Sequence, residues 1–116
     1  MYEFSGKVIQ GEGRGKKIGF PTVNIDNQSL DLNHGVYLVE VFIGADKNIY
    51  RGLLHFGPKK TFNDIISTEV FIDNFSKEIY GEKIKVKVLK KIREIKKFKS
   101  SDELIWQMEK DREFLK

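Results

Sequence analysis

The chain has 116 residues, of which 40% are hydrophobic, 12% aromatic and 33% charged, with a formal net charge of +4. This is one domain's length with enough apolar material for a core, which excludes wholesale disorder; no apolar run approaches the roughly 18 residues of a membrane span, and the absence of cysteine removes disulfides and thiolate metal sites. A pI near 9.2 suits phosphate-bearing partners, although a charge mixture of this kind equally describes a lysine-rich solvated surface.

The opening "MYEFSGK" has no charged-then-apolar leader pattern, so a cytoplasmic location is expected. "FSGKVIQ" reads as a first strand. "GEGRGKKIG" (11–19) follows, with Gly11, Gly13, Gly15 and Gly19 interleaved with Arg14, Lys16 and Lys17. Glycines let backbone amides approach phosphate oxygens, and the basic side chains add charge. The spacing is neither that of a P-loop nor that of a dinucleotide fingerprint, and a hairpin tip with solvated lysines is the alternative.

In "GFPTVN" (19–24), Pro21 fixes its own φ and pushes Phe20 toward extended geometry. If the chain continues extended, Thr22 and Asn24 share one face while Val23 points to the core. A hydroxyl and an amide carbonyl suit Mg²⁺, which prefers oxygen ligands and keeps waters and substrate phosphates around it. The plain alternative is a strand whose polar face happens to be Thr and Asn.

"GVYLVEVFI" is apolar on both faces and reads as a central strand. "GADKN" (44–48) then predicts a hairpin into "IYRGLLHF". "TEVFIDNF" predicts a further strand, with Glu69 among β-branched and aromatic residues where Glu is disfavoured. Alternation places Glu69 with Phe71, opposite Val70 and Ile72, and leaves open which face is the core. A carboxylate held there is the candidate to take the proton of a hydroxyl acceptor in phosphoryl transfer. Asp46 has a simpler place in a turn, as have Asp102 and Glu103 at a helix start.

In "EKIKVKVLKKI", Ile84, Val86 and Val88 alternate with Lys83, Lys85 and Lys87, and the break at Leu89 predicts a bulge. Ser100 and Glu103 match a capping box. Leu104, Ile105, Met108 and Leu115 then fall on one helical stripe with Trp106 to the side. About six short strands followed by one helix predict an all-β fold with one C-terminal helix: a closed antiparallel barrel with the helix packed on it, in a single domain over 1–116.

Taken in order, "GRGKKIGFPTVN", "GVY", "FG…T", "EVFI", "IYG", "IRE..KF" and a terminal helix ending in "D" resemble the riboflavin kinase family, over roughly Gly6 to Asp111. In many bacteria this is the C-terminal module of a bifunctional flavokinase/FAD synthetase, whose adenylyltransferase domain has no counterpart in this sequence. The resemblance implies a six-stranded antiparallel Greek-key β-barrel. It implies transfer of the γ-phosphoryl of ATP to the ribityl 5′-hydroxyl of riboflavin, with Mg²⁺ as cofactor and FMN as product. It further assigns Thr22 and Asn24 to the metal and the nucleotide phosphates, and Gly11, Gly13, Arg14, Gly15 and Lys17 to the phosphate loop. Tyr80 falls near the nucleotide, Glu69 is the base, and Arg93, Lys96 and Phe98 fall at flavin-contacting positions. Where the family has "NVG.RPT", this chain has "HFGPKKT": His55 stands for Asn, and Lys59-Lys60 for Arg-Pro.

Two other readings follow from the residues. One is a flavin-binding module without catalysis, motivated by "HFGPKKT". The other is a small β-barrel binding nucleic acid through its basic stretches, with exposed aromatics as stacking platforms, against which Tyr37, Phe42 and Phe71 fall at core-like strand positions. Small-molecule substrates, a monomer, and no membrane or nucleic-acid partner are the expectations.

Overall fold

Six strands precede one helix: β1 Glu3–Ile9, β2 Thr22–Ile25, β3 Gly35–Ile43, β4 Ile49–Pro58, β5 Ile66–Ile72, β6 Lys83–Arg93, then α1 Ser101–Arg112 running into a 3₁₀ turn at Glu113–Leu115. The computed structural model describes residues 2–10, 22–58, 65–75 and 77–116. Every pairing is antiparallel, and the strands close into a barrel in the order β1-β2-β5-β4-β3-β6. After β2 a long connection leads into the β3-β4-β5 meander, whose last strand, β5, returns to lie beside β2, which is a Greek key.

Alternation decides the two faces of the wall. Val8, Ile25, Val39, Val41, Leu54, Val70, Ile84 and Val86 point inward, each no more than 1% exposed. Hydroxyls that enter the interior are satisfied at its edge: Thr68 Oγ1 donates to the Asn27 carbonyl at 2.6 Å, and the Tyr37 hydroxyl donates to the Asn33 carbonyl at 2.6 Å. The outer wall carries a second apolar cluster, in which Leu38, Leu53 and Phe71 meet Leu115, with Leu89, Ile92, Ile105 and Met108 at its margin.

The bulge expected at Leu89 is present, because Leu38 pairs with Lys90 while Val39 pairs with Val88. A second lies at Ile92, where Val36 pairs with Arg93 and Tyr37 with Lys91. Each extra residue turns two successive side chains to one side, which frees Leu89 and Ile92 to meet the helix. The 44–48 turn holds as expected: Gly44 takes φ +47, and the Asn48 amide and the Tyr50 hydroxyl both donate to the Asp46 carboxylate. Those donors, the Asn48 amide first, hold the Asp46 carboxyl below its ordinary range.

Three expectations need correction. The strand expected over "TEVFIDNF" ends at Ile72, because Asp73 and Asn74 turn the chain and Asn74 adopts φ 56. Phe42 is only half-buried and faces outward, with Lys85 Nζ 5.1 Å from its ring centroid. Of the apolar stripe expected on α1, Ile105, Met108 and Leu115 meet the wall while Leu104 stays outside that cluster. The fully buried positions of α1 are instead Gln107 and Asp111.

Ser100 caps α1, its hydroxyl accepting the Glu103 amide at 3.2 Å, and Gly57 sets a tight constraint next to the 94–99 segment. It has φ +155, and a Cβ there would overlap Ile95 Cδ1. Gly57→Ala should cost roughly 1–3 kcal/mol, read as a lower urea midpoint at unchanged slope; an unaltered midpoint would mean that Ile95 gives way freely.

Candidate active site

Register places one row of side chains on the outer wall. Asn24 pairs with Glu69, Glu69 with His55, His55 with Val36, and Val36 with Arg93. Directly opposed residues share a face, and Val70, the neighbour of Glu69, points into the barrel. The Glu69 face is therefore the outer wall, beside the Phe71 row that the helix covers. Thr22, two residues before Asn24, shares its face.

The oxygens converge at Glu69. Thr22 Oγ1 donates to Glu69 Oε1 at 3.3 Å, and Ser67 Oγ donates to Glu69 Oε2 at 3.3 Å, with the Gly57 carbonyl at 3.5 Å as an alternative acceptor for the same hydroxyl. Asn24 and Ser67 are buried, at 9% and 6% exposure, while Glu69 and Thr22 are half-buried. The carboxylate is thus oriented from both sides yet open to an incoming hydroxyl. No group of three or more His, Cys, Asp or Glu side chains gathers among the described residues. The donor set here is a hydroxyl and an amide, neutral hard oxygens that fit Mg²⁺ when substrate phosphates bring the negative charge.

A second cluster stands at the far end of the row, where β6 meets α1. Arg93 Nε lies 3.0 Å from both Asp111 carboxylate oxygens, and Nη2 lies 2.8 Å from Oδ2. The remaining terminal nitrogen, Nη1, donates to the Glu94 carbonyl at 2.9 Å. Gln107 Nε2 donates to Asp111 at 2.9 Å and its Oε1 accepts from Lys96 Nζ at 3.1 Å. The Arg93 guanidinium carbon sits 6.0 Å from the Phe98 ring centroid. Beside this network a cleft of about 450 Å³ is lined by Lys96, Lys97 and Phe98 on one side and by Asp102, Glu103, Trp106 and Gln107 of α1 on the other.

The structure therefore brings Thr22, Asn24 and Glu69 together, and brings Arg93, Lys96 and Phe98 together elsewhere on the same wall. Three strand spacings separate Glu69 from Arg93, roughly 14 Å along the wall. Tyr80 joins neither cluster. It is 58% exposed in a turn fixed to β1 by the Gly81 amide, which donates to the Val8 carbonyl at 2.8 Å. Gly11, Gly13, Arg14, Gly15, Lys16, Lys17 and Pro21, with Lys59 and Lys60, lie outside the described residues. Sequence reasoning passed over Ser67 and Gln107. Asp111 entered only as the helix-end residue of the resemblance, with no role attached, and its i, i+4 spacing from Gln107 also describes a solvated helix face.

A closed Greek-key barrel with its oxygen cluster on the outer wall, at the margin of a C-terminal helix, defines a compact class of β-barrel proteins. The chain belongs to the riboflavin kinase family: the family model described as "Flavokinase: Riboflavin kinase" matches residues 1–116. Two proteins of Bacillus subtilis (strain 168) are each 37% identical to it. The RNA-binding riboflavin kinase RibR matches over 96% of this chain and 48% of its own length, and a bifunctional riboflavin kinase/FMN adenylyltransferase over 97% and 37%. The chain thus spans less than half the length of these curated relatives. The crystal structure of riboflavin kinase from Trypanosoma brucei shares the fold, with a TM-score of 0.68 at 23% identity, covering 97% of this chain and 73% of that one.

Asp111→Ala should destabilise the domain by about 3–5 kcal/mol, because it strands a partly buried guanidinium. Chemical denaturation measures this, and a loss below about 1 kcal/mol would mean that solvent replaces the carboxylate readily.

Proposed function

We propose that the chain transfers the γ-phosphoryl group of ATP to the ribityl 5′-hydroxyl of riboflavin, giving FMN and ADP in an Mg²⁺-dependent reaction. The observation that carries this reading is the contact of Thr22 Oγ1 with Glu69 at 3.3 Å, opposite Asn24 in register. The names of the relatives, an RNA-binding riboflavin kinase and a bifunctional riboflavin kinase/FMN adenylyltransferase, support the same chemistry.

In this mechanism Glu69 accepts the proton of the 5′-hydroxyl as that oxygen bonds to the γ-phosphorus and the bond to the ADP oxygen breaks. Ser67 and Thr22 keep the carboxylate aimed by donating to one oxygen each. With its hydrogen on Glu69, the Thr22 hydroxyl retains lone pairs and, with the Asn24 amide oxygen, holds the metal. Bound Mg²⁺ supplies neutralisation of phosphate charge. Gly11, Gly13, Arg14, Gly15 and Lys17 cover the phosphates, and Tyr80 stands toward the nucleotide. Lys96 and Phe98 contact the flavin, while Arg93, turned to Asp111, fixes Phe98. In this reading residues 1–116 form a single domain that acts as a monomer. A cytoplasmic enzyme is consistent with the absence, among the described residues, of a helix long and apolar enough to cross a membrane.

Chromatographic detection of FMN from riboflavin, ATP and Mg²⁺ tests the reaction, and no product over hours would leave a binding module instead. Glu69→Gln should lower kcat by roughly 10²-fold or more with little change in the KM for riboflavin; full turnover by this variant would remove Glu69 as the base. Thr22→Val should raise the Mg²⁺ concentration needed for half-maximal rate, and an unchanged Mg²⁺ dependence would take the hydroxyl out of the metal's shell.

A further inference from the structure

We propose that Trp106 is the stacking surface for the isoalloxazine ring, a specificity-determining residue on the helix wall of the cleft; this rests on the riboflavin reading above. Trp106 is the sole tryptophan of the chain and is 58% exposed. A large indole on a helix normally turns inward to bury its apolar area. Here the helix is docked through the neighbouring residue instead. Gln107 is 8% exposed and hydrogen-bonded to buried Asp111, so the ~100° step between adjacent helical residues directs Trp106 away from the barrel and onto the cleft.

The surroundings match a flat, wide heteroaromatic. Lys110 Nζ lies 5.4 Å from the Trp106 ring centroid, and a cation engages one face of a ring, leaving the other for a planar ligand. Phe98 lines the same cleft and is backed by a guanidinium that Asp111 holds with three contacts of 3.0 Å or less. Lys96 and Lys97 bring N–H donors for ring carbonyls, and Asp102 and Glu103 bring acceptors for an imide N–H. Two aromatic side chains with donors and acceptors at the margin suit an electron-poor fused ring that offers the complementary pattern. The cleft also lies at the Arg93 end of the row, apart from the Tyr80 turn, so the ring and the nucleotide do not compete for it.

The test compares the whole protein with Trp106→Leu and Trp106→Phe, substitutions at an exposed position that leave the core untouched. Riboflavin bound to the wild type should show strong quenching of flavin fluorescence and a long-wavelength charge-transfer shoulder. Trp106→Leu should abolish the shoulder and raise the riboflavin Kd and KM roughly 10-fold, within the range that base–aromatic stacking supports. The KM for ATP should stay unchanged, and Trp106→Phe should recover most of the affinity. If the wild type binds riboflavin and forms FMN while Trp106→Leu keeps both the shoulder and a KM within about 2-fold, the stacking role is wrong and the kinase reading stands. If the wild type neither binds riboflavin nor forms FMN, both are overturned.

Discussion

The geometry of the site hangs on the register of one four-residue strand. β2 places Asn24 opposite Glu69 and Val23 opposite Val70. So short a ladder supplies few hydrogen bonds, and what holds the register is the inward pull of Ile25 and Val23 toward Val8, Val70 and Leu54. A slip by one residue would carry Thr22 and Asn24 into the barrel and set Val23 beside the carboxylate. Leaving those polar groups unsatisfied inside would cost about 1–3 kcal/mol each. The packing of the interior therefore selects the arrangement of oxygens outside, although none of the interior residues touches them.

The outer wall serves two purposes, and the bulges in β6 divide it between them. At Leu89 and again at Ile92 the extra residue sends an apolar side chain outward just before Lys90 or Arg93. The apolar pair reaches the helix, and Arg93 reaches Asp111. The helix is thus seated by a modest apolar patch together with an ion pair whose side chains are 16% and 5% exposed. Desolvation offsets much of the Coulomb gain in such a pair. Its clearer effect is positional: only one rotation of α1 puts Gln107 and Asp111 within reach of Lys96 and Arg93, and that rotation also sets which residues line the cleft.

Much of the fold was legible because the strands obey period two where one face alone is buried. Ile84, Val86 and Val88 show this, and the break at Leu89 marked a bulge for the same reason. Legibility failed where both faces are apolar. Phe71 and Phe42 occupy equivalent-looking positions, yet helix residues bury Phe71 while Phe42 lies under a lysine. The side on which Glu69 faces was undecidable from alternation, since the outer wall bears Leu38, Leu53 and Phe71 as a second core. Gln107 and Asp111 escaped because burial of a polar residue depends on a partner distant in sequence, and Arg93 precedes Asp111 by a whole loop and helix. Of the site, the Thr22–Asn24–Glu69 set was traceable through chemistry and resemblance. Ser67 was not, because a serine two residues before a strand glutamate carries no signal until the carboxylate's orientation is known.

The two clusters share a single row of paired residues, and this bears on how a ligand is held. Asn24, Glu69, His55, Val36 and Arg93 are successive rungs across five neighbouring strands, so the separation of the oxygen cluster from the aromatic and cationic cluster is set by strand spacing. Loops vary that distance very little, and a site built on strands is held more closely than one built on loops. A ligand with a flat ring at the Arg93 end and a flexible polyhydroxylated tail would lie along the rungs with its terminal oxygen carried toward Glu69. Under the proposed function, ring position and reacting oxygen would then be coupled through a stiff wall, and tilting the ring by a change in α1 would shift the tail at Glu69. The Arg93–Asp111 pair would in that case act on the chemistry from three strands away, by fixing the helix that aims the ring.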